Sequence, residues 1–215
     1  MESAVKRELV VASDPAAAAA ELFLATAPRT ISLAGGSTPK ALYELLARQP
    51  YAWQTVDVFF GDERCVARDH PDSNFHMANL TLLSKVPARV HPMPGESCGA
   101  EAYEAELSSV FGAGVPEIDL VLLGLGADGH TASLFPGDPA LEEQTKRVLR
   151  VERPDHSRLT LTLPVLSAAK LVVFLVAGAE KAGPLKLLME DGDIPAARVQ
   201  AQRVVVIADE AAAGR

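Results

Sequence analysis

Apolar positions in this chain cluster into short runs, each closed by glycine, proline or a group of polar residues. Residues 9–12 (LVVA), 30–34 (TISLA), 56–60 (VDVFF), 118–123 (IDLVLL), 171–177 (LVVFLVA) and 204–208 (VVVIA) are of this kind. Runs this short, rich in β-branched residues and bounded by turn formers, predict buried strands. Residues 89–93 predict a further short strand, with Pro92 and Pro94 marking an edge or an end. In 158–163 (RLTLTL) apolar and polar residues alternate with the period of a half-buried strand. The turn Pro154-Asp155-His156-Ser157 folds it back on 148–151 as an antiparallel pair. Helical stretches fill the gaps: an alanine-rich one at 16–27 after Asp14 and Pro15, then 41–47, then 74–83 after a capping Ser73. Two more are expected at 99–111, with Tyr103, Leu107, Val110 and Phe111 along one side, and at 181–189. Strand and helix alternate from end to end, so the expected class is α/β with a mostly parallel sheet. No repeat or linker divides the chain, and a single domain over 1–215 is expected.

Composition narrows the partners. Of 215 residues, 48% are hydrophobic and 22% charged, enough apolar material for a sizeable core and against disorder. A net charge of −8 argues against nucleic acid or an anionic membrane as the main partner, but leaves room for a small anion held by a local basic cluster. No apolar stretch approaches the roughly 20 residues of a membrane span. Asp14, Pro15 and Glu21 interrupt the N-terminal apolar region, so no signal peptide is expected. Cys65 and Cys98 give neither a disulfide framework nor a metal-ligand pattern, which points to a reducing cytoplasm, with Cys65 a small buried residue.

The stretch 118–137, IDLVLLGLGADGHTASLFPG, carries the densest chemistry. Its apolar run ends in glycines at 124, 126 and 129, Asp128 and His130 lie within the turn, and Thr131 and Ser133 predict a helix start beyond it. A carboxylate and an imidazole are thereby delivered to the carboxyl end of a central strand, where ligands bind in open α/β sheets. A second glycine turn, Gly35-Gly36-Ser37-Thr38-Pro39-Lys40, joins strand to helix. Glycines let backbone N–H groups approach, Ser37 and Thr38 supply hydroxyls, and a helix N-terminus favours an anion. A phosphate cradle and an ordinary capped turn both fit it, and the Walker spacing is absent. Gly61-Asp62-Glu63-Arg64 sets three charges at a strand end, either as a solvated turn or as an anion site built on Arg64. Lys181, alone, reads as a helix-surface lysine, His91 as structural and His156 as solvent-exposed.

Three separated segments, 33–46 (LAGGSTPKALYELL), 56–75 (VDVFFGDERCVARDHPDSNF) and 118–137, together resemble the 6-phosphogluconolactonases, which share a family with glucosamine-6-phosphate isomerases. RLTLTLPVLSAA and VAGAEKA extend the resemblance over nearly the whole chain. The resemblance implies a Rossmann-like, mostly parallel sheet flanked by helices with a small antiparallel addition, the fold of glucosamine-6-phosphate deaminases and ribose-5-phosphate isomerases. It implies hydrolysis of 6-phosphoglucono-1,5-lactone, with no cofactor, no metal and a small sugar-phosphate lactone as the partner of a monomer. It makes Gly35, Gly36, Ser37 and Thr38 the phosphate loop, adds Asp62 to the substrate site, and groups Arg64, Arg158 and Lys181 as a basic set around phosphate and hydroxyls. Ala67 and Ala127 stand where the family often has proline and an acidic residue, departures that bear on fine positioning.

A δ-lactone is an activated ester. No G-x-S-x-G elbow, no cysteine placed for acyl transfer and no metal cluster is apparent, so direct attack of water is the expected route. His130 is the candidate general base, since imidazole changes charge near neutral pH. Asp128 is placed either to orient that imidazole and stabilise its protonated form or to hold the water, and backbone N–H groups of the 124–129 turn are candidate oxyanion donors. Two rivals are a deaminase-like isomerase that shuttles a proton on Asp62, and a non-catalytic sugar-phosphate sensor.

Overall fold

The computed structural model describes residues 6–215; residues 1–5, the start of the N-terminal region in which no signal peptide is expected, lie outside it. The strands and helices, in chain order, are β1 (Arg7–Val11), α1 (Pro15–Thr26), β2 (Thr30–Leu33), α2 (Ser37–Leu46), β3 (Asp57–Phe60), β4 (Asp62–Arg64), α3 (Asn74–Thr81), β5 (Arg89–Val90), α4 (Ala100–Phe111), β6 (Leu120–Gly124), β7 (Val148–Val151), β8 (Arg158–Leu161), α5 (Leu163–Ser167), β9 (Leu171–Val176), α6 (Ala182–Met189) and β10 (Arg203–Ala208). Seven strands form a parallel sheet in the order β1-β10-β9-β6-β2-β3-β5, and β4, β8 and β7 form a small antiparallel sheet beside it. The α/β class, the parallel sheet and the antiparallel addition are as expected.

Apolar content explains the layering. Every residue of β9 is buried, as are five of the six in β10, because helices cover the sheet's faces and leave no wet side for alternation. Each such Val, Leu or Phe contributes about 1.5–3 kcal/mol by leaving water. Asp14 caps α1 by accepting from the Ala17 amide at 3.0 Å, and Ser73 caps α3 by accepting from His76 at 3.0 Å. No helix among the described residues is long and apolar enough to cross a membrane.

Topology places the site. From β2 the chain steps outward through β3 to β5, then returns to lay β6 on the other side of β2 and continues to β9 and β10. The strand order thus reverses between β2 and β6, and a crevice opens at their carboxyl ends.

Four local expectations are corrected. Asp62-Glu63-Arg64 is a strand of the small sheet, not a turn: it pairs with β8, Arg64 opposite Arg158. No helix follows His130; Thr131 and Leu134 close a tight turn instead, with Ala132 at φ 47°, and Pro136 prevents a helix from propagating. Val110 of α4 is exposed, while Tyr103 and Leu107 bury that helix's apolar face. Cys65 and Cys98 are joined in a disulfide, with Cα atoms 5.1 Å apart. Their 33-residue separation hid this pairing, which arises because the loop before α4 packs on the end of β4: a Cβ on Gly95 would lie 2.7 Å from the Arg64 carbonyl oxygen.

Candidate active site

A cavity of about 360 Å³ opens at the switch point, floored by the segments that follow β2, β3, β6 and β9. Gly35, Gly36, Ser37 and Thr38 line one part of it, and Asp62, Arg64, His130, Arg158 and Lys181 line the rest. Nine of the ten residues singled out in the sequence therefore share one cavity. Asp128 does not line it and lies behind His130.

The imidazole is fixed by its own turn. His130 Nδ1 is 2.6 Å from Asp128 Oδ1, which also accepts from the His130 amide at 3.1 Å. A carboxylate can only accept, so Nδ1 carries the proton and the lone pair resides on Nε2. Phe135 packs against the ring with centroids 4.6 Å apart, and the His130 side chain is 32% exposed. Burial pushes the Asp128 carboxyl up, but the hydrogen bonds from the His130 amide and ring outweigh it and hold the group below its ordinary value. Gly126 permits this arrangement: a Cβ there would lie 2.0 Å from His130 Nδ1 and 2.7 Å from Asp128 Oδ1. The amides of Gly126 and Gly129 are spent inside the turn, on the carbonyls of His130 (2.8 Å) and Gly126 (3.0 Å), and drop out as oxyanion donors.

The opposite side is built for an anion. Among the described residues no side chain caps the first turn of α2, which starts at Ser37, so the partly positive N-terminal end of this helix, with Ser37 and Thr38, borders the cavity. Arg64 spends Nη1 on the Asp72 carbonyl (3.0 Å) and Asn74 Oδ1 (2.7 Å), which orients the guanidinium. Arg158 is tied by Nη2 to Asp155 Oδ2 at 2.6 Å and lies with its guanidinium carbon 5.6 Å from the Phe135 centroid. Hydrogen bonds from the His156 amide and from Arg158 hold the Asp155 carboxyl down at about 2. Lys181 closes a 3-10 turn (Ala179–Lys181) that follows β9. Asp62 is buried, with Oδ2 accepting from Ser133 Oγ at 2.7 Å and Oδ1 from Asn74 Nδ2 at 3.1 Å.

With this geometry in view, similarity to known proteins is decisive. Residues 4–207 match the family model described as glucosamine-6-phosphate isomerases/6-phosphogluconolactonase. The chain belongs to this family. It is 49% identical over 162 residues to a 6-phosphogluconolactonase of Synechocystis, covering 71% of this chain and 68% of that one. It is 40% identical to another 6-phosphogluconolactonase, from Nostoc, over 86% of this chain and 83% of the relative. The solved 6-phosphogluconolactonase of Trypanosoma cruzi superposes with a TM-score of 0.88 at 30% identity, over 99% of this chain and 98% of that one.

Within this member of the family, reading the sequence missed several residues that shape the site. Asn74 bridges Asp62 and Arg64 and fills the space beside Gly35, where a Cβ would lie 2.1 Å from its Oδ1. Ser133 ties the His130 segment to Asp62. Glu180 lines the cavity next to Lys181. The D-S-N turn ahead of α3 was the available signal for Asn74; Ser133 had none, because its partner lies 71 residues away.

Proposed function

We propose that this chain hydrolyses 6-phospho-D-glucono-1,5-lactone to 6-phospho-D-gluconate, the second step of the oxidative pentose phosphate pathway, as a single-domain, monomeric enzyme without a cofactor. The observation that carries the reading is His130: its Nδ1 is bound by Asp128, its other nitrogen has no hydrogen-bond partner among the described residues, and it shares a cavity with the Gly35–Thr38 loop. The phosphate sits on that loop and the α2 N-terminus, with Arg64, Lys181 and Arg158 neutralising its charge. His130 Nε2 takes a proton from water as the oxygen attacks the lactone carbonyl. Asp128 stabilises the imidazolium that forms. Collapse of the tetrahedral intermediate breaks the bond from the carbonyl carbon to the ring oxygen, and the imidazolium returns its proton to that oxygen. Asp62, with both oxygens held by Ser133 and Asn74, organises the cavity floor and does not shuttle a proton.

General acid–base help of this kind is worth roughly 10²–10⁴-fold, and the phosphate anchor supplies orientation. The test is formation of 6-phosphogluconate from freshly made lactone, corrected for spontaneous hydrolysis. The wild type turns over and prefers the phosphorylated lactone, and His130→Ala loses about 10²-fold or more in kcat. An active His130→Ala enzyme, or ammonia release from glucosamine 6-phosphate, overturns the reading.

A further inference from the structure

Between Asp62 and Arg64, which line the cavity, stands a carboxylate that does not. Glu63 is 3% exposed and points away from the cavity toward the start of α3. Four donors converge on it: Oε1 accepts from the amides of Arg64 (2.8 Å) and Asn74 (2.7 Å), and Oε2 from the Phe75 amide (2.8 Å) and Ser73 Oγ (3.0 Å). A helix N-terminus leaves its first amides without partners, and a carboxylate there is favoured by the helix dipole. In α3 that carboxylate comes from β4, a strand of the small antiparallel sheet, so the contact fixes where the helix begins relative to β4.

The residue fixed most directly is Asn74, the first of α3. Its backbone is held by Glu63 while its side chain reaches the other way. Nδ2 donates to the Asp62 carbonyl (2.9 Å) and carboxylate (3.1 Å), and Oδ1 accepts from Arg64 Nη1 at 2.7 Å. The same amide group packs against Gly35 of the phosphate loop. A sub-ångström drift of the α3 start would move the acceptor that aims the Arg64 guanidinium and the wall beside Gly35 together.

We propose that Glu63 is a positioning residue for the phosphate site: it docks the α3 N-terminus onto β4 so that Asn74 orients Arg64 beside the Gly35–Thr38 loop, and thereby sets selectivity for a phosphorylated over an unphosphorylated lactone. This rests on the lactonase reading above. No acceptor lies among the four groups around Glu63 that a proton on it could satisfy without displacing a donor, apart from the Ser73 hydroxyl. Burial pushes the Glu63 carboxyl above its ordinary value, against the pull of the Phe75, Asn74 and Arg64 amides and the Ser73 hydroxyl. The arrangement is therefore sensitive to replacing one oxygen by a donor, which Glu63→Gln does with little change in volume.

The experiment compares kcat and KM for 6-phosphogluconolactone and for unphosphorylated glucono-δ-lactone in wild type, Glu63→Gln, Asn74→Ala and the double variant, with circular dichroism and melting to confirm folding. In Glu63→Gln the ratio of kcat/KM for the phosphorylated over the unphosphorylated lactone falls about tenfold, mainly through KM for the phosphorylated one, as expected for one misplaced charge-assisted hydrogen bond. The double variant is no more impaired in this ratio than Asn74→Ala, because Glu63 acts through Asn74. Should Glu63→Gln fail to fold, Glu63→Asp, which keeps the charge but withdraws it from the amides, carries the same readout. An unchanged ratio in a folded variant, an equal loss on both lactones, or independent multiplying effects of the two substitutions overturns the proposal. A wild type without preference for the phosphorylated lactone would instead overturn the functional reading beneath it.

Discussion

His91 and His130 both lie against carboxylates, yet their second ring nitrogens have different surroundings. His91, just beyond β5, has Nδ1 2.5 Å from Glu106 Oε1 and Nε2 2.9 Å from Asp57 Oδ1, and its ring stacks on Phe59 with centroids 4.4 Å apart. Its side chain is 13% exposed. His130 meets a single carboxylate through Nδ1, has a ring 32% exposed and borders the cavity. At His91 both nitrogens are occupied and the ring works as a staple between β3, β5 and α4. At His130 one nitrogen is braced and the other is left to accept. A carboxylate–imidazole contact is thus not itself a catalytic signature; the free second nitrogen facing a cavity is.

The largest effect that can break this contrast is on turnover. Asp128→Asn lowers kcat by about 10² to 10⁴-fold, because an amide facing Nδ1 no longer enforces the tautomer or stabilises the imidazolium. His91→Ala leaves kcat within about twofold while lowering stability by about 1–3 kcal/mol, through lost packing and a stranded Asp57. Steady-state rates on the phosphorylated lactone and denaturant melts of both variants check this. Similar activity losses in the two would erase the distinction between brace and staple.

The same contrast shows which parts of the site were legible in sequence. The G-A-D-G-H turn is local: His130, its orienting Asp128 and the glycine that makes room for the ring lie within five residues, so spacing alone exposes them. The Gly35–Thr38 loop is local for the same reason. The parallel sheet was legible because its strands are continuous apolar runs. Arg64, Arg158 and Lys181 needed the family resemblance to be grouped, since three separate elements bring them to one cavity. Glu63, Asn74 and Ser133 escaped because each works through a partner 10 to 71 residues distant. The two cysteines misled for a related reason: pairing depends on a loop docking onto β4, and no local pattern encodes it.

That disulfide links the two regions. Cys65 follows Arg64 of the site, and Cys98 precedes α4, which carries the Glu106 partner of His91. Constraining the unfolded chain over such a loop contributes about 2–4 kcal/mol. Reduction of the oxidised protein should therefore lower Tm by roughly 5–15 °C for a chain of this size. Calorimetry with and without dithiothreitol measures the shift. KM for the phosphorylated lactone at 25 °C should change less than about threefold, because Asn74 and the Asp72 carbonyl, not the disulfide, hold the Arg64 guanidinium. A large KM change with little change in Tm would mean that the covalent link serves the site rather than the fold.

The smallest effect separates the two carboxylates that serve the two rings. Asp57 is held below its ordinary pKa chiefly by its hydrogen bonds from Arg89, with burial opposing and His91 adding to the depression. A depressed folded value lends stability that is fully present above the unfolded carboxylate pKa of about 3.9 and drains away as pH falls through the lower folded value. Asp57→Asn should accordingly cost roughly 1 kcal/mol at neutral pH, a modest figure because Arg89 is solvent-screened, and the gap to wild type should narrow from about pH 4 downward. Arg89, His91 and, through His91, Glu106 are the ionisable groups around it, and none lines the cavity. The pH–rate profile of Asp57→Asn should therefore overlay that of wild type, while Asp128→Asn depresses the rate across the whole profile. A displaced profile in Asp57→Asn would show that the His91 staple and the His130 base are energetically coupled across the sheet, and that the two regions are not independent.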